Sequence, residues 1–166
     1  MEEVFLFTDF SLFKILAVLG VAASPILEIR GAIPLGVAVY HLPLPLVFAL
    51  GFLGNLVPAL LILLLLDPFV SLLRHKSTPL HVFFEGLFAL TRRKHTLHFE
   101  RFGSLALFLF VAIPLPGTGA WTGALLAYLF GLGFRFSFLS IALGIIVAGA
   151  IISMVTLGGV GIASLL

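Results

Sequence analysis

The 166-residue chain contains no cysteine. Disulfides, thiolate metal sites and thiol nucleophiles are therefore excluded. Charge is also scarce, at 10% of residues, where soluble domains carry about 25%. Amide side chains are nearly absent, with Asn55 the sole one, and there is a single tryptophan, Trp121. The N-terminus, MEEVF, is acidic where a cleavable signal peptide needs a basic region, so none is expected. What remains is oil: 61% hydrophobic residues and a mean hydropathy of +1.29. That composition belongs to integral membrane proteins. Residues 1–166 leave no room for a separate soluble domain, and a single membrane domain is expected.

A helix that crosses a bilayer needs about 20 apolar residues, because each adds roughly 1.5 Å towards a core about 30 Å thick. Residues 46–66 and 136–157 meet that requirement. The other apolar stretches have awkward lengths. Between Arg101 and Arg135 the chain carries no charge, yet PLPGTG (residues 114–119) sits at its middle. That run is too long for one crossing and too short for two. The solution it points to is a re-entrant hairpin, with a short helix in, a Pro/Gly turn, and a short helix back. The opening region has the same form: an apolar arm from Phe10 to Ala23, then SPILEIRGAIP, then LGVAVYHL. Its alternative is a full crossing by Phe5–Ala23. Pro34, Pro114 and Pro116 are expected to make the turns.

The two hairpins superpose in sequence at an offset of 88 residues, which matches Leu27, Gly31, Ala32 and Tyr40 with Leu115, Gly119, Ala120 and Tyr128. Each half (1–73 and 102–166) reads as arm, turn, arm, full span, and crosses an odd number of times. The second half is then inserted upside down, an arrangement common in secondary transporters. The expected fold is thus an all-α integral membrane protein, an inverted repeat of re-entrant hairpin plus transmembrane helix. Six of the nine Lys and Arg residues fall in the connection 74–101, which the positive-inside rule assigns to the cytoplasm. Within it Thr78 and Pro79 open a predicted amphipathic helix with an apolar stripe of Leu80, Phe83, Phe84, Leu87 and Phe88. A multi-pass membrane protein follows.

Glu28 and Arg30 stand two residues apart in EIRGAIP, which the hairpin reading puts in a non-helical turn near the membrane centre. A lone charge there costs at least ~3 kcal/mol, and intramembrane ionisable residues usually mark function. In one reading the pair only fixes the shape of the loop. In the other, Arg30 attracts an anionic group through its fork of donors, and the desolvated Glu28 exchanges a proton. Asn55, Thr118, Thr122 and the backbone amides of Gly117 and Gly119 are candidate partners for substrate. Amides at the start of a helix favour anions, and the two glycines allow a tight turn. Trp121 reads as a packing or interface residue. His95 and His98 have helical spacing but no acidic partners, so no metal and no cofactor is expected. Small residues at Gly144, Ala148, Gly149 and Ser153 allow close helix contacts, including a homodimer.

These two tips carry a resemblance. SPILEIRGAIPLG and AIPLPGTGAWTGALLA resemble the small multi-drug export family, and the likeness covers nearly the whole chain. That family is similar to the larger DedA/VTT superfamily, whose members have two opposed re-entrant hairpins and include proteins implicated in flipping lipids such as undecaprenyl phosphate. ERFGSLALFLFVAIPLPG (residues 100–117) is similar to the region leading into the second DedA loop. That loop carries arginines around its Pro-Gly turn, whereas Ala112, Thr118 and Gly119 here are uncharged. The resemblance implies a small transporter that moves an amphiphile, a lipid-linked phosphate or a hydrophobic drug, between opposed hairpins, with Glu28 coupling protons. An energy-independent scramblase or a structural membrane protein is the alternative. An enzyme is not expected, since no nucleophile with its base and no ligand cluster falls in the membrane region. The expected partners are membrane lipids and the substrate, with no nucleic acid.

Overall fold

Long apolar segments with few breakers become helix because only a helix satisfies its own backbone without water. The computed structural model describes residues 2–74 and 97–163, with the side chains of residues 12–70, 102–159 and 161. Every regular element among them is helical: α1 (Glu2–Ala23), α2 (Glu28–Pro34) continued by a π-helical turn (Leu35–Val39), α3 (Leu44–Arg74), α4 (Leu97–Ala112), α5 (Ala120–Leu129) and α6 (Phe134–Ala163). The predicted amphipathic helix of the connection, with His95 and the His98 side chain, lies outside the described residues.

Two helices are long and apolar enough to cross a membrane, over Leu44–Val70 and Phe134–Gly159. Both extend past the spans read from hydropathy. The apolar parts of the other arms are shorter: Leu12–Ala23, Phe102–Ala112 and Ala120–Leu129. The chain forms two compact units. One comprises Met1–Val57 with Ile145–Leu166, and the other Pro58–Gly144. Each therefore holds one hairpin, the half of a long helix nearest to it in sequence, and the opposite half of the other long helix.

Two expectations need correcting. EIRGAIP is not a turn: it is α2, and the turn before it is Ser24–Leu27. Pro34 does not end the arm either, since its φ of −58° and ψ of −42° suit a helix. Its missing N–H leaves the Arg30 carbonyl without an i+4 donor, and the helix widens immediately afterwards. The wider turn is closed by Tyr40 N–H donating to the Leu35 carbonyl at 3.0 Å. A third difference is length, because α1 begins at Glu2 rather than near Phe10.

In the first unit small residues let backbones close together. A Cβ added at Gly54 on α3 would lie 2.7 Å from the Ala22 Cβ and 2.9 Å from the Leu19 carbonyl oxygen on α1. Ile29 on α2 reaches both Gly51 of α3 and Gly149 of α6. In the second unit Val111 of α4 is the wedge, fitting so closely against Gly123 of α5 and Gly144 of α6 that a Cβ at either would come within 2.7 Å of it. Gly144 and Gly149 are thus covered by the chain's own residues. Ala148 and Ser153 are buried as well. These small residues account for contacts within the chain, as expected where lipid supplies no hydrophobic drive and close approach must hold helices together.

This geometry gives a paired test. Gly54→Ala should lower stability by about 1–3 kcal/mol through overpacking. Gly20→Ala on α1, where an added Cβ meets nothing within 4 Å, should be neutral or stabilising. Thermal unfolding of the purified protein in detergent reads both, and equal effects would mean that α1 does not seat on Gly54.

Candidate functional site

The expected site residues fall into two sets, one in each unit. In the first unit the turn Ser24–Leu27 is closed by a single hydroxyl. Ser24 Oγ donates to the Val21 carbonyl at 2.8 Å and accepts from Leu27 N–H at 3.2 Å. The backbone then enters α2 through Glu28, whose φ of +51° is left-handed. A residue with a Cβ pays roughly 1–2 kcal/mol there. Strain of this kind persists where surrounding structure imposes it, and it clusters at functional positions. Glu28 is also buried, at 5% exposure, while Arg30 one half-turn on is half-buried and interacts with it electrostatically. The loop has brought an acid and a base together inside an apolar hairpin.

Asn55 stands on α3 one turn beyond Gly51, the residue that meets Ile29 and Ala32 of α2. Its amide is 1% exposed, and its carbonyl oxygen has no hydrogen-bond partner among the described residues. A buried acceptor left unmatched costs about 1–3 kcal/mol. It is a group waiting for a donor.

The second set surrounds the turn Ile113–Gly119. Pro114 and Pro116 interrupt the helix and remove two donors that would need partners. Gly117 has a φ of +82° and Gly119 a φ of +148° with ψ of −172°. The latter is a region essentially confined to glycine. Thr118, expected among the substrate-binding groups, has its hydroxyl engaged by the turn. Its Oγ1 lies 2.8 Å from both the Ile113 and Leu115 carbonyls and accepts Leu115 N–H at 3.1 Å. Thr122 Oγ1 donates to the Gly119 carbonyl at 3.3 Å in the first turn of α5. The arm then ends in a Schellman motif, with Gly131 at φ +64° and Leu132 N–H donating to the Ala127 carbonyl at 2.9 Å.

Two residues escaped the sequence reading. Ser24 plays in the first turn the part that Thr118 plays in the second; a hydroxyl immediately before Pro25 was the available signal. Lys14, the only charge in the arm from Phe10 to Ala23, donates to the Tyr40 carbonyl at 3.3 Å. It ties α1 to the far end of the returning arm and meets the negative pole of that helix. Among the described residues, no group of three or more His, Asp or Glu gathers where it could hold a metal.

A family model described as "Putative small multi-drug export protein" matches residues 28–151. No curated protein and no solved structure matches the chain. The family match begins at Glu28, directly after the first turn, and runs through α2, α3, the second turn and α5 into α6 as far as Ile151.

Thr118 can be tested directly. Thr118→Val keeps the shape but strands the Leu115 N–H and the carbonyls it served, and should cost about 1–3 kcal/mol. Thr118→Ser should remain near wild type. If valine is tolerated as well as serine in thermal unfolding, the hydroxyl does not hold the turn.

Proposed function

The chain belongs to the small multi-drug export protein family, and from that premise we propose that it is a transporter whose two re-entrant hairpins alternate access for an amphiphile with an anionic head. The observation that carries the reading is Glu28, a buried carboxylate on strained backbone, beside Arg30 and within an apolar hairpin. Arg30 attracts the head group, and the Asn55 oxygen accepts a hydrogen bond from its protonated oxygen. Glu28 takes up and releases the coupled proton. The substrate is a lipid-linked phosphate or an anionic hydrophobic drug, and the protein is a carrier rather than an enzyme.

Re-entry is supported by lengths and by the position of Lys14. The apolar stretch Phe102–Ala112 and helix α5 each run about 15 Å at 1.5 Å per residue, half of a bilayer core. If the first turn lies near the midplane, Lys14, nine residues before Ala23, falls about 14 Å away, at the headgroups. A full crossing by α1 would instead leave that charge deep in lipid at a cost of at least ~3 kcal/mol. Both turns also point apolar side chains outward, with Ile26 at 87% exposure and Leu115 at 55%. Lipid favours that and water does not.

The inverted repeat is supported by matched boundaries. At the 88-residue offset α1 and α4 end within one residue of each other, and α3 and α6 begin within two. The two units likewise hold reciprocal halves of the long helices. The basic connection 74–101 then lies in the cytoplasm, and the protein crosses the plasma membrane with both halves.

Flux into liposomes tests the mechanism. Wild-type protein should move undecaprenyl phosphate in preference to a cationic dye, and faster with a proton gradient. Glu28→Gln should abolish the pH dependence. Arg30→Gln should reduce anionic flux roughly tenfold or more, the value of a charge-assisted hydrogen bond. Unchanged pH dependence in Glu28→Gln removes proton coupling, and gradient-independent equilibration makes the protein a scramblase. Re-entry has its own test, made clean by the absence of native cysteine. A cysteine at Ile26 should resist a membrane-impermeant maleimide from either side, while one at His41 reacts; labelling at position 26 from the side opposite His41 sinks the hairpin.

A further inference from the structure

The second hairpin contains a cavity of about 430 Å³ that the transport reading does not use. Phe102, Ala106 and Phe110 of α4 form one wall, Leu126 and Phe130 the other, and Leu132 closes the end. Its size falls within the range of small-molecule pockets, about 300–1,000 Å³. The lining is hydrocarbon almost throughout, so water finds none of the two to four polar partners that would hold it there. Left empty, its walls would forfeit dispersion contacts. In a membrane protein the available filling is hydrocarbon chain.

Charge marks one end. Phe102 directly follows Glu100 and Arg101 in the chain, and Leu132 precedes Arg135 by three residues, which leaves one net positive charge among these positions; Arg135 is exposed in the first turn of α6. Gly103 meets Leu132 there, since an added Cβ would lie 2.6 Å from the Leu132 Cδ2. The arm's entrance and the loop after α5 are thus held together, and with them the two arginine positions. The opposite end, towards the Pro/Gly turn, carries no charge. Basic positions beside a crevice between membrane helices are suited to anionic lipid heads.

We propose that this cavity is a binding site for an anionic membrane phospholipid, whose acyl chain lies between α4 and α5 and whose phosphate meets Arg135. The site belongs to the second unit and is separate in chemistry from Glu28 and Arg30. A resident lipid here would fill the hairpin's base and brace its two arms.

The test uses the full-length protein, delipidated in detergent and titrated with equal amounts of phosphatidylglycerol and phosphatidylcholine, with adducts read by native mass spectrometry. Wild type should retain phosphatidylglycerol preferentially. Ala106→Phe, which fills the cavity, should lose that adduct, and Ala106→Leu should weaken it if the larger side chain prevents folding. Leu139→Phe, on an exposed face of α6, should leave it unchanged. Arg135→Gln should cut the anionic preference about fivefold, the value of one basic residue at an anionic surface. Equal retention of the two lipids by wild type overturns the proposal. So does a phosphatidylglycerol adduct that survives Ala106→Phe, or a preference untouched by Arg135→Gln. Binding is measured without transport, so this result stands apart from the flux experiments.

Discussion

Hydrocarbon offers no hydrogen bonds, so each N–H and C=O carried into it must find a partner within the chain or cost several kcal/mol. Helices solve this along their length, but a turn between two apolar helices has to solve it again. Both turns here use the same device, one hydroxyl that donates to a carbonyl and accepts an amide. Ser24 does so in the first and Thr118 in the second. Prolines assist by removing donors altogether. Where each returning arm ends, a left-handed residue lets the last carbonyls close on themselves: His41 after the first, Gly131 after the second.

The same constraint explains why the polar content is so small and where it is spent. Buried hydroxyls on α6 bond back one turn, Ser153 to the Gly149 carbonyl and Thr156 to the Ile152 carbonyl, and so ask nothing of their neighbours. Lys14 serves a helix end. Against that background two residues stand out: Glu28 for its left-handed backbone, and Asn55 for a carbonyl oxygen with no hydrogen-bond partner among the described residues.

Much of this was legible in the chain. The two long helices follow from length and hydropathy alone, because an uninterrupted apolar run has no other stable form in lipid. The turn at PLPGTG was legible for the same reason in reverse: two prolines and two glycines in six residues cannot continue a helix. EIRGAIP was misread because Gly and Pro are breakers on average, and averages ignore what precedes them. Once Ser24 and Pro25 have made the turn, a proline at φ near −60° fits the helix that follows, and the cost is only the wider turn after it. Lys14 was overlooked because hydropathy sums over a window, and one cation among many apolar residues barely moves the sum.

Composition by itself determined the all-helical character, the two helices long and apolar enough to cross a membrane, and the Pro/Gly break between α4 and α5, since each needs only segment length and local chemistry. It also singled out Glu28, Arg30 and Asn55, which are conspicuous where charge and amides are rare. Tertiary structure alone decided which small residues are contact points and which are idle. Gly54, Gly123 and Gly144 admit a neighbouring helix, whereas Gly20 admits nothing. It also decided that Thr118 closes a turn and that Glu28 bears strained backbone. Those facts depend on distances between residues far apart in the chain, or on a dihedral that the surrounding contacts impose, and neither is written in the order of the residues.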